Sequence, residues 1–237
     1  MPVFKRNVWK QDTDLPRHER PADTLSEGVY MAAVSGLTVM GLALASVIGF
    51  STMNWHPDLM TVLLTGLGLP IVGIFVSKLS RSWPISILGY LMIVVGLGAI
   101  CGPTVALYKT AVVLIALVAT MGVSTVMAIA GILYSKSLKN WGAYLFGALM
   151  ALLFVRVAQI FMIGMGFQET LWYMPFVEYL GAVLFSLYIV YDWNRARDLP
   201  HTMENAVDSA VAIFLDIVNL FLQLLRVIGG PGVPSKD

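Results

Sequence analysis

Near the C-terminus, "FSLYIVYDWNRARD" (185–198) and "AIFLDIVNLFLQLLRVIG" (212–229) each set one carboxylate, Asp192 and Asp216, among apolar side chains. An ionisable group inside an apolar helix is costly, so it survives by pairing, by reaching water or by doing a job. Asp216 lies about ten residues into its apolar run, and Asn219, three positions on, projects from the same helix face as a supporting polar group. Asp192 ends the preceding run. If that helix continues through "WNRARD", Asp192 sits about a turn and a half inside it, at a depth closer to that of Asp216. Two carboxylates facing each other in a low dielectric cannot easily both ionise, so they would share a proton and titrate as a pair. Doubly ionised, they would form a hard oxygen site suited to a divalent cation, with carbonyls and water completing the shell. Asp192 and Asp216 are thus the candidate pH sensor, ion-path residues and cation ligands. The plainer alternative is an Asp216 that stays protonated and serves only as an interhelical hydrogen-bond donor.

The rest of the chain must position these acids. It has 237 residues, 58% hydrophobic and 12% charged. Ordinary soluble domains carry about 25% charge, so this composition points to a polytopic membrane protein with the lipid bilayer as its solvent. The net charge of +1 gives no basic field and no case for nucleic-acid binding. The single cysteine, Cys101, has no disulfide or zinc partner. A membrane-crossing helix needs about 20 apolar residues. Seven runs qualify, roughly 28–50, 59–79, 84–107, 111–134, 141–163, 172–191 and 206–228. The expected organisation is a polar tail over 1–27, a seven-span domain over 28–230 and a short tail over 231–237. The first 27 residues lack the pattern of a cleaved secretory signal, so the first run is expected to remain as an anchor. Pro70 and the Gly102–Pro103 pair interrupt two spans, which bundled helices tolerate. Gly41, Ala45 and Gly49 form a close-packing face on the first span.

Lysine and arginine set the orientation. Lys5, Arg6, Lys10, Arg17, Arg20, Lys78, Arg81, Lys136, Lys139, Arg195 and Arg197 fall on one side, and the loops of the other side hold only Lys109. The N-terminus is therefore expected in the cytoplasm. The C-terminal tail lies outside with seven full spans, or inside if the last run is re-entrant.

Three other charges fall inside apolar runs. Arg156 and Glu178 lie about seven and six residues from the outer ends of adjacent antiparallel spans and are expected to pair. The pair would be a clamp between two spans or an outer polar constriction on an ion path. Asp208 is expected near the interface, solvated or capping the last helix. Lys78 and Arg81, at the junction of spans two and three, are candidates to latch a carboxylate on their side. A membrane enzyme finds no support: the three histidines, His18, His56 and His201, lie in the tail or loops, and no nucleophile–base set is recognisable.

The last two spans resemble the Bax inhibitor-1 family, also called the transmembrane Bax inhibitor motif family. The shared pattern is "LYxxYD" followed by "LDxxNLFxxLLRxxG", with the aspartates 24 positions apart as in the calcium-leak members. "GLGAICGPTVALY" (96–108) is similar to the Gly–Pro end of the family's third span. The resemblance covers roughly residues 28–230 and is strongest in the last 50. It implies an all-α membrane protein of seven helices, the last one central and surrounded by the other six. It also implies a pH-sensitive calcium leak, with Asp192 and Asp216 as a di-aspartyl sensor and a basic latch near the end of the second span. The local "SKLSRSW" (77–83) departs from the family there: ungapped from Pro103 the latch position falls on Ser80, beside Arg81 and near Lys78. Arg156 and Glu178 match no family motif. No resident cofactor is implied, and calcium and protons are the expected cargo. The alternative function is a non-conducting membrane regulator with membrane-protein partners, acting in quality control or in stress and cell-death signalling. The compact loops resemble bacterial members, which places the chain in an inner membrane.

Overall fold

Each apolar run becomes helix because a backbone in hydrocarbon must satisfy its own hydrogen bonds. The computed structural model describes residues 24–80, 82–165 and 175–230. Its helices are α1 (Glu27–Ser51), α2 (Leu59–Leu63), α3 (Leu69–Leu79), α4 (Trp83–Val105), α5 (Thr110–Leu133), α6 (Trp141–Gly164), α7 (Pro175–Asp198) and α8 (Met203–Gly229). A π segment, Leu64–Gly68, joins α2 to α3 into one span. It immediately precedes Pro70, whose ring cannot donate and crowds the preceding turn, and the wider turn accommodates it. Among the described residues, seven helical spans are long and apolar enough to cross a membrane. Large apolar side chains such as Phe50, Val118 and Phe154 face outward, the inverse of a water-exposed surface. The chain is an integral membrane protein.

Two helix boundaries differ from the apolar runs. α7 continues six residues past Asp192, to Asp198. α8 starts at Met203, capped by the Thr202 hydroxyl, which accepts from Asn205 N at 3.3 Å. Asp208 is therefore not a cap. It lies within α8 and accepts from Ser77 Oγ at 3.4 Å. α8 ends at Gly230, whose φ of 73° is left-handed backbone that glycine takes at little cost.

α8 packs against α1, α3, α4, α5 and α7. Its buried residues fall into two stripes. Val207, Val211, Phe214 and Val218 join Ala45, Tyr90, Ile93 and Val94 of α1 and α4. Ala206, Ile213 and Leu220 join Tyr30, Val34, Phe185, Ile189 and Trp193 of α1 and α7. The second stripe, filled in with Ser209, Asp216 and Gln223, runs at alternating spacings of three and four, the period of one helix face laid along another. α7 answers with Glu178, Ala182, Phe185, Ile189, Asp192 and Ala196 at the same spacing.

Small residues let the other helices close. The buried face of α1 is Tyr30, Val34, Thr38, Gly41, Ala45 and Gly49, which contains the expected small-residue face. α3 and α4 touch through Gly73 and Gly89: a Cβ on either would lie 2.5 Å from a backbone atom of the other helix. Backbone cannot yield as a side-chain tip can, so Gly89→Val should lower stability by about 1–3 kcal/mol. Thermal unfolding in detergent measures this, with Gly122→Val, which meets open space, as the neutral control.

Candidate functional site

Asp192 and Asp216 belong to the two facing stripes just described, and both are buried. Their side chains are in hydrogen-bonding contact. An ionised carboxylate only accepts, so a hydrogen bond between the two groups would need a proton on one of them. Asp216 Oδ2 is buried with no hydrogen-bond partner among the described residues. Each acid holds its place through its own helix. Asp192 follows Ile189 and precedes Ala196 on the α8-facing side of α7, and Asp216 sits between Ile213 and Leu220.

The charges of Lys78, at the end of α3, and of Arg195, one turn along α7, reach Asp192. The Tyr188 hydroxyl, one turn before Asp192, feels both acids. Lys78 is thus the described latch candidate, its charge reaching Asp192, whereas Arg81 lies outside the described residues. Arg195 and Tyr188 were not singled out from the sequence. Their spacings of three and four from Asp192 are the signal that would have found them. Asn219 donates its amide to Leu215 O of its own helix at 2.8 Å. That bond turns the nitrogen along α8 rather than toward the pair.

Two carboxylates offer four oxygens, short of the six to eight that calcium takes. No cluster of three or more His, Cys, Asp or Glu able to hold a metal occurs among the described residues.

A second polar layer occupies the other end of the α7–α8 interface. Arg156 Nη2 lies 2.5 Å from Glu178 Oε2, so the two intramembrane charges are brought together. The same nitrogen donates to Gln223 Oε1 on α8 at 3.1 Å, and Nη1 donates to Gln159 at 3.1 Å. Arg226 Nη1 stands 3.7 Å from Glu178 Oε2. Glu178 has no exposed surface, and one carboxylate between two arginines is how a buried charge is retained. The cluster ties α6, which otherwise packs on α7, to α8. Gln159, Gln223 and Arg226 were missed in the sequence. Glutamine inside "LFLQLLR", three positions before an arginine, was the available sign.

Comparison with known proteins agrees with this architecture. An Escherichia coli inner membrane protein, YbhL, is 24% identical over 84% of this chain and 91% of its own length. An uncharacterised Helicobacter pylori protein is 29% identical over 46% of each chain, so the match spans about half of that relative. The Arabidopsis thaliana protein LIFEGUARD 3 is 38% identical over 37% of this chain and 33% of its own. The family model described as inhibitor of apoptosis-promoting Bax1 matches residues 25–232, nearly the whole of the described bundle, and the chain belongs to this Bax inhibitor-1 family.

Proposed function

We propose that the chain is a pH-sensitive calcium leak pathway gated by the Asp192–Asp216 pair. The observation that carries it is the meeting of two buried carboxylates on facing helices, with the charge of a lysine from a third helix reaching Asp192. With one proton shared, the pair keeps one negative charge, and Lys78 holds α3 against it. A second proton cancels that charge and frees the lysine, so the latch weakens as pH falls. Calcium and protons are the cargo, no resident cofactor is needed, and the lipid bilayer is the one obligatory partner. Likeness to the Escherichia coli inner membrane protein supports a bacterial inner membrane, and the lysine and arginine bias supports an N-terminus in the cytoplasm.

In liposomes carrying purified protein, calcium flux should rise several-fold from pH 8 to pH 6. Asp192→Asn and Asp216→Asn should each flatten that dependence. No flux above empty liposomes at any pH would overturn the leak. It would favour a non-conducting regulator, in keeping with the family's description as an inhibitor of an apoptosis-promoting protein.

The Arg156–Glu178 cluster acts in this account as a clamp between spans. Glu178→Gln should lower stability by roughly 1–3 kcal/mol through loss of charge-assisted bonds, while the flux keeps its pH dependence. A changed pH profile would make the cluster part of the gate. For topology, a cysteine at Ser137 in a Cys101→Ala background should react with a membrane-impermeant maleimide only from the cytoplasmic side, and one at Lys109 only from the other. The reverse pattern would invert the orientation.

A further inference from the structure

Asp192 must point at α8, and something must fix the rotation of α7 about its own axis. Two residues further on, about 200° around the helix, Asn194 points the opposite way. It is 1% exposed, and its whole side chain is committed to the end of α5 and to the α5–α6 connection. Its Oδ1 accepts from Leu138 N at 2.8 Å. Its Nδ2 faces three carbonyls, Gly131 at 3.2 Å, Tyr134 at 3.0 Å and Lys136 at 3.2 Å. Arg197, one turn along, adds Nη1 bonds to Ile132 O at 3.1 Å and Tyr134 O at 2.7 Å. The last carbonyls of a helix lack partners within it, so these two side chains of α7 cap α5. The two helices are also at closest approach here: a Cβ on Gly131 would meet the Val190 carbonyl and, at 2.9 Å, the Trp193 Cβ.

We propose that Asn194 is the positioning residue of the acid pair: by locking the back of α7 to the end of α5, it sets the direction in which Asp192 meets Asp216. The role presupposes that Asp192 and Asp216 work as a pair. The groups facing Asp192 are Asp216 from α8, Lys78 from α3, and Arg195 and Tyr188 from α7 itself. α5, which Asn194 grips, carries no titratable side chain, so its influence on the pair is geometric.

The test is infrared titration of the full-length protein in liposomes. It follows the C=O stretch of the protonated pair, assigned by its loss in Asp192→Asn and Asp216→Asn. Asn194→Ala should displace the midpoint of that band by about half a pH unit or more, roughly threefold in proton affinity. If Asn194→Ala does not fold, Gly131→Ala carries the test, because it pushes α7 from the same side without altering any charge. Folded variants that unfold at lower temperature but titrate at the wild-type midpoint would reduce Asn194 to a structural bond and overturn the proposal. A displaced band in a protein that conducts no calcium would remove the leak and leave the positioning role standing.

Discussion

A carboxylate in the middle of the seam between the last two helices constrains everything around it. Asp216 stands where Ala206, Ile213 and Leu220 set the pattern, and it is only 7% exposed. Burying a lone charge there is prohibitive, so the facing helix must bring a group that shares a proton with it. Asp192 is the acid that α7 places nearest to it. The same seam carries a second buried acid, Glu178, whose charge is met by Arg156 and Arg226 instead. At one end of the α7–α8 interface two arginines meet the carboxylate through Oε2. At the other end the two acids meet with no arginine in an ion pair with either among the described residues.

The outer spans make this tolerable. α1, α4 and α5 close onto the last two helices through glycine and alanine positions and through the clusters around Phe214 and Ile189. They leave their own large apolar residues to the bilayer. Polar bonds, by contrast, concentrate at the helix ends. Thr202 and Asn205 fix the α7–α8 turn, and Asn194 and Arg197 fix the end of α5.

Seven spans were legible in the sequence because hydrocarbon demands long apolar runs, and Pro70 and Pro103 do not break them. Asp192 and Asp216 stood out because acids are rare in such runs, and the Arg156–Glu178 contact followed from counting residues along adjacent antiparallel spans. What could not be read were contacts that depend on how distant helices rotate. Examples are Gln223 reaching Arg156 across 67 positions, Ser77 meeting Asp208 across 131 and Asn194 gripping a connection 56 positions away. Helix ends also misled. Asp208 was expected near the interface, solvated or as a cap, until the helix was found to begin five residues earlier.

The central claim is that Asp192 and Asp216 act as one unit, and a double-mutant cycle on the pH dependence of calcium flux tests it most directly. If the two share one proton and one gate, the double variant Asp192→Asn/Asp216→Asn should show the same flattened profile as either single variant. Effects of the two substitutions that simply add would mean two independent groups, and would contradict the account.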